Sequence, residues 1–268
     1  MSYIIWIFYF FVFILGLCIG SFLNCVIYRS EHKKSLKGRS FCPDCKHELS
    51  WQDLFPVFSF LFLKGKCRYC HKKISIQYPL VELFAGVIFV LVFNLAYPIS
   101  TLYQYIYVLY LFYISSALIV IFVYDLKHYI IPDKVLFPAI IISLIYNLAA
   151  PFFTAEPVRH IIGAFLAAII ASGFFLIIFL VSKGKWMGFG DVKLAVLMGL
   201  MLGFPDVLAG LFLAFFFGAI IGVILMAFKK KSLKSEIPFG PFLIIGTFTA
   251  MFWGPQIIYW YLRLFLIT

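Results

Sequence analysis

Two aspartates stand out as residues able to do chemistry. Asp191 follows two glycines in Gly188-Phe189-Gly190-Asp191, where one long apolar segment gives way to the next; Asp125 lies at the end of another, in Tyr124-Asp125-Leu126-Lys127-His128-Tyr129-Ile130-Ile131-Pro132-Asp133. An acid at the edge of a membrane helix is costly, so it is found facing a water-filled cavity or a reaction site, with a partner. Alone, either residue would serve as a helix cap or an interfacial salt bridge. Together they suggest an aspartic hydrolase, in which one carboxyl is protonated and the other ionised, and their proximity separates the two titrations. Asp191 begins a helix, where the macrodipole favours a carboxylate. Asp125 ends one, where it favours the neutral acid, a preference of about 1 kcal/mol that Lys127 opposes.

A second set of reactive side chains is Cys42-Pro43-Asp44-Cys45 and Cys67-Arg68-Tyr69-Cys70, two C-x-x-C pairs separated by 21 residues. Four thiolates at this spacing converge on one tetrahedral zinc ion, and a full set of four leaves no open position, so the zinc is structural. The alternatives are disulfides, disfavoured on a reducing side of the membrane, and unliganded thiols. Lys46, Lys66, Arg68, Lys72 and Lys73 are placed to offset the charge of such a site, and His47 and His71 are surplus as ligands. Cys18 and Cys25 read as small apolar packing residues.

Elements of a particular kind must position these groups. With 64% hydrophobic and 12% charged residues in 268, the chain is an all-α polytopic membrane protein rather than a soluble domain. About eight transmembrane helices are expected, near 3–28, 80–97, 102–124, 134–150, 159–181, 192–204, 207–228 and 239–262. The sixth is too short to cross unaided. The first reads as a retained helix rather than a signal peptide, since no basic residue precedes it and no cleavage pattern follows. The net charge of +11 does not imply a nucleic-acid partner, because the basic residues fall at intervals between apolar runs instead of along one stripe. Eleven of the 22 Lys and Arg lie between Arg29 and Lys73. Threading the helices with both termini outside leaves only Arg159 and Arg263 off the cytoplasmic side and puts both acids at the cytoplasmic face.

The expected organisation is a first transmembrane helix (1–28), a cytoplasmic four-cysteine loop (29–79) and a membrane-embedded core (80–268). Gly16, Gly20 and Ser21 form a face that lets another helix approach. Leu49 to Leu63 is apolar but too short to span, and is expected to lie in the membrane interface. Pro132 should break the chain after Asp125, and Gly188 and Gly190 permit a turn or a close approach of substrate to Asp191. Lys127 and Asp133 are supporting residues, Asp133 as a helix cap or beside Asp125, and Glu82 is expected to pair with a loop lysine. Pro238, Gly240 and Pro241, in Glu236-Ile237-Pro238-Phe239-Gly240-Pro241, either break a helix or leave backbone groups able to pair with an extended peptide. Two other readings remain: a proton-coupled transporter using the acids as a relay, though no inverted repeat is visible, and a zinc-stabilised assembly factor without catalysis.

The chain resembles the type IV prepilin peptidases, bacterial membrane aspartic proteases of the glycine-x-glycine-aspartate kind, over nearly its whole length. The matching residues are Gly20-Ser21-Phe22-Leu23-Asn24 with Ile27-Tyr28-Arg29, the four loop cysteines, Gly65-Lys66-Cys67-Arg68, Tyr78-Pro79-Leu80-Val81-Glu82, Asp125 through Asp133, Gly188 through Lys193, and Pro238-Phe239-Gly240-Pro241. Cys25, in place of an aliphatic residue, and Phe55, in place of isoleucine, depart from the pattern. The resemblance implies that Asp125 and Asp191 are catalytic. It implies that the enzyme clips the short basic leader of a membrane-borne prepilin or pseudopilin after a glycine, at the cytoplasmic face of the bacterial inner membrane, in service of type IV pili or type II secretion. It also implies N-methylation of the new amino-terminal residue with S-adenosylmethionine. No glycine-rich nucleotide-binding turn after a strand is present, so that cofactor follows from the resemblance alone.

Overall fold

Inside a bilayer no water satisfies backbone N–H and C=O groups, so a chain this apolar must close them within helices. The computed structural model describes residues 2–153, 157–228 and 237–266, which are helical apart from loops and two isolated bridges near the cysteines. Glu156, Glu236, Lys229, Lys230, Lys231 and Lys234 lie outside the described residues. The helices expected from the sequence are present, joined by one short extra: α1 Ser2–Glu31, α2 Phe58–Phe62, α3 Gln77–Ala96, α4 Leu102–His128, α5 Asp133–Ala149, α6 Pro157–Ser182, α7 Phe189–Leu202, α8 Asp206–Ala227 and α9 Gly240–Leu266. Six of them, α1, α3, α4, α6, α8 and α9, are long and apolar enough to cross a membrane. With 17 and 14 residues, α5 and α7 are shorter. They reach about 26 and 21 Å against a core of roughly 30 Å, so eight is an approximate count of spans.

The chain divides into two compact units, Met1–Val120 and Ile121–Thr268, with the boundary inside α4. In the first unit α1 lies along α3, and the small residues expected to allow a close approach do so. A Cβ on Gly16 would come within 2.7 Å of the Gly86 Cα, and one on Gly20 within 2.7 Å of the Glu82 Cα. Buried polar groups fix the ends of this pair. The Asn24 amide donates to the Tyr78 carbonyl at 3.0 Å, and the buried Arg29 guanidinium donates to the carbonyls of Ser35, Lys37, Gly38 and Arg39. Glu82 does not pair with a lysine. Buried against α1, its carboxylate accepts the backbone N–H of the loop residue Val57 at 2.7 Å and a hydrogen bond from the Ser21 side chain.

In the second unit the short α7 packs against α5, α6, α8 and α9, with Val192, Leu194, Ala195, Leu197, Met198, Gly199 and Leu200 all buried. Its backbone touches that of α6, since a Cβ on Gly199 would lie 2.3 Å from the Ala168 Cα. A helix enclosed this way need not span the bilayer, but its last carbonyls still need donors. The Asn147 side chain of α5 supplies one, donating to the Leu200 carbonyl at 3.0 Å, and leaving that acceptor bare would cost about 1–3 kcal/mol. Gly203 then turns the chain with φ +70, a conformation that suits glycine.

Candidate functional site

Both aspartates belong to the second unit, and the chain breaks that flank them are what bring them together. Asp125 sits in the last turn of α4, which runs four residues past the expected end at 124. Tyr129 stops the helix in the left-handed region at φ 58, its N–H donating to the Asp125 carbonyl at 2.9 Å, and Ile130 to Pro132 lead into α5. Asp191 is the third residue of α7, where its carboxylate accepts the N–H of Gly188, the residue that caps the helix. The Asp125 carboxylate accepts the N–H of Gly240, at the start of α9. The two residues are only 4% and 8% exposed, and Ile131 links their surroundings, lying against Gly190 beside Asp191 and near Gly240 beside Asp125. Each carboxylate therefore receives one backbone donor in a buried setting, a matched arrangement suited to a pair that shares a proton.

Glycine at 240 is a steric requirement: a Cβ there would lie within 2.5 Å of an Asp125 carboxylate oxygen. Ile131 wedges between the two glycines. A Cβ on Gly190 would fall 3.2 Å from the Ile131 Cβ, and one on Gly240 3.5 Å from its Cδ1. Gly188 has ordinary extended geometry and more room, at 3.9 Å from the nearest Asp191 oxygen. Gly190 thus makes room for the chain's own Ile131.

The supporting residues divide. Asp133, the first residue of α5, pairs with Lys193 of α7, whose ammonium also lies 5.4 Å from the Phe137 ring centre and 5.9 Å from that of Phe189. Asp133 is thus tied to the helix that carries Asp191. Lys127 is exposed in the last turn of α4. Pro238 is half-buried in non-helical chain, and Gly240 and Pro241 are buried. Backbone groups expected to be offered to a peptide are used internally: the Gly240 N–H serves Asp125, and the Phe239 carbonyl accepts from Phe242 and Leu243. The Phe239 ring packs among Phe175, Phe215 and Phe242. Ile131 and Lys193 were not singled out in the sequence. Opposite charges near the starts of α5 and α7 were the available signal for Lys193.

In the first unit the two C-x-x-C segments form the same small hairpin. The Cys42 N–H donates to the His47 carbonyl and Lys46, left-handed at φ 61, donates to the Cys42 carbonyl. Cys67 with Lys72, and His71 at φ 57, repeat both bonds. The four sulfurs lie within 4.8 Å of one another, and those of Cys42 and Cys70 are 3.9 Å apart. That is far beyond a disulfide of about 2.05 Å, and close to the roughly 3.8 Å edge of a tetrahedron with 2.3 Å metal–sulfur bonds. The cluster fits a metal ion. Burial pushes the Cys42 thiol up, but hydrogen bonds from Cys45 and Asp44 outweigh it and hold the thiol below its ordinary value.

The second hairpin is fastened by Asp53, a residue the sequence did not mark. Its carboxylate takes hydrogen bonds from Ser50, Arg68 and Tyr69. Burial pushes its pKa up, yet those donors prevail and hold it below the usual carboxylate range. Lys72 bonds Asp44 at 2.9 Å, and His47 stacks on Tyr69 outside the sulfur cluster.

Two family models match the chain in succession. One is described as the bacterial peptidase A24 N-terminal domain, over residues 14–96, and the other as the type IV leader peptidase family, over residues 112–223. The prepilin leader peptidase/N-methyltransferase of Aeromonas hydrophila is 32% identical, the match covering 97% of this chain and 96% of the relative. That of Legionella pneumophila is 33% identical over 96% and 95%, and that of Vibrio cholerae 36% over 89% and 94%. No solved structure matches significantly. Similar to such relatives from end to end, the chain belongs to the type IV leader peptidase family.

Proposed function

We propose that this chain cleaves the short leader from prepilins or pseudopilins and that Asp125 and Asp191 are its catalytic pair. The observation that carries the reading is the convergence of three helix ends on two buried carboxylates, each holding a single backbone donor. In the reaction, water between the acids loses a proton to the ionised carboxylate as its oxygen attacks the scissile carbonyl carbon, while the protonated carboxyl gives its proton to the carbonyl oxygen. When the C–N bond breaks, the amine of the mature pilin takes up a proton and the leader departs as a carboxylate. Gly240 donates to the Asp125 carboxylate, Ile131 packs between Gly190 and Gly240, and the Asp133–Lys193 pair fixes the start of α7.

The bias of basic residues supports both termini outside and the acids at the cytoplasmic face of the inner membrane, where a membrane-borne substrate arrives by lateral diffusion. The cysteine cluster is a structural zinc site. The relatives' name supports N-methylation of the new amino terminus, for which S-adenosylmethionine is the donor. Among the described residues no strand leads into a glycine-rich turn of the kind that holds nucleotide cofactors.

The test is reconstitution in liposomes with a prepilin, read by mass spectrometry of the products. Wild type is expected to release the leader, and Asp125→Asn and Asp191→Asn to release none while keeping their bound metal. Cleavage by both variants at the wild-type rate would overturn the assignment and return the chain to a scaffold or transporter role.

A further inference from the structure

Between the two hairpins the chain presents apolar side chains outward. Trp51 and Leu54 on a helical turn (Trp51–Leu54), Phe55 just after it, and Phe58, Leu61 and Phe62 on α2 are all unburied; Trp51 is 70% exposed and Phe62 83%. So many large exposed side chains on one short segment mark a surface that meets something apolar. The opposite side is polar, because Asp53 faces Arg68 and Tyr69 of the second hairpin.

What the surface meets follows from where the segment is tied. Val57, between the two turns, has φ 61 and ψ −49 at the centre of a tight turn closed from Phe58 N–H to the Pro56 carbonyl, a costly conformation for a β-branched residue, and its N–H donates to Glu82 at 2.7 Å. Glu82 is the sixth residue of α3 and is bonded to Ser21, ten residues before the end of α1. At 1.5 Å per residue the anchor lies about 7 Å inside one membrane-crossing helix and about 15 Å inside the other. Phe22, Leu80 and Phe84 are exposed on α1 and α3 at the same level. Ten basic residues against three acids between Lys33 and Lys73 give the loop the charge that anionic headgroups attract.

We infer that residues 51–62 form a wedge inserted in the acyl-chain boundary of the leaflet where α1 and α3 end, with the cysteine hairpins held on the headgroups by their basic residues. The partner of this surface is the lipid bilayer.

The test uses the full chain in liposomes containing anionic lipid, with a diazirine-bearing phenylalanine placed singly at Phe58, Phe62, Phe22 or Lys37. These replacements keep the ring at the three phenylalanines, and prepilin cleavage checks that each variant is folded. The expected lipid adducts at Phe58 and Phe62 are within about twofold of those at Phe22 and at least about tenfold above those at Lys37, as for an interfacial helix. Adducts at Phe62 no higher than at Lys37 would overturn the inference. So would adducts mainly to a second copy of the chain or to co-reconstituted prepilin.

Discussion

The cysteine loop and the acid pair are both polar constructions in an apolar chain, built in opposite ways. Each half of the loop is local: a four-residue C-x-x-C segment, two backbone hydrogen bonds and one left-handed residue repeat to give the same hairpin twice. Side-chain bonds then join the halves, Asp53 to Arg68 and Asp44 to Lys72. In the acid pair Asp191 takes its donor from Gly188 at the start of its own helix, but Asp125 takes its donor from Gly240, far along the chain, and Ile131 wedges between the two ends. A site made of local turns survives small changes elsewhere. A site made where three helix ends meet depends on every one of them.

The sharpest way to break the comparison is Gly240→Ala. Its Cβ would displace the Asp125 carboxylate, and cleavage is expected to fall at least about 100-fold, the usual cost of a misplacement near 1 Å, with bound metal unchanged. The contacts predict a graded series in which Gly190→Ala loses less, by displacing Ile131, and Gly188→Ala least.

The converse is Cys42→Ser with Cys67→Ser. Metal per chain should drop from about one to none, and the loop should become protease-sensitive, because ligand binding and loop folding are one equilibrium in small metal sites. Cleavage should decline less than in Gly240→Ala. Metal analysis with limited proteolysis measures both, and a loop that stays resistant without metal would refute the structural role.

A smaller effect is expected at the ion pair. Asp133→Lys and Lys193→Asp should each slow cleavage about fivefold, the ~1 kcal/mol upper range for a partly exposed pair. The double exchange should recover to within about twofold if the charges act on each other. Single-turnover rates check this, and a double variant slower than either single would dismiss the pair as a positioning element.

The smallest effect is a pH dependence confined to the loop. The folded-state pKa of Asp53 lies below its ordinary value, so its stabilisation is complete above that value, near 3.9, and is lost as pH falls through the folded pKa. Loop protection should be flat from pH 8 to about 5 and weaken below about 4. Asp53→Asn should remove the part of that dependence due to Asp53 and leave the part due to protonation of the metal-binding thiolates.

How much could be read from the chain alone follows the same division. Hydropathy places the helices because burial in lipid acts on composition, and cysteine spacing reveals the sulfur cluster because hairpins are local. Asp125 and Asp191 are visible because acids are rare in apolar runs. What Gly240 does for Asp125, and Ile131 for both glycines, is not visible, since these contacts join segments scores of residues apart. Asn147 carried a faint signal, an amide within an apolar helix, but its partner, the Leu200 carbonyl, did not. The aromatic loop announces its exposure by composition, while its depth becomes readable only through the bond from Val57 to Glu82.

The central claim is that the two carboxylates act as one unit. The most direct test is single-turnover cleavage of a prepilin in bilayers by Asp125→Asn, Asp191→Asn and the double variant, with helix content by circular dichroism and thermal stability confirming the fold. The account predicts that each single variant loses all measurable cleavage and that the double is no slower than the singles, as for residues that work together. Partial losses that multiply in the double variant would contradict it and assign the two acids separate roles.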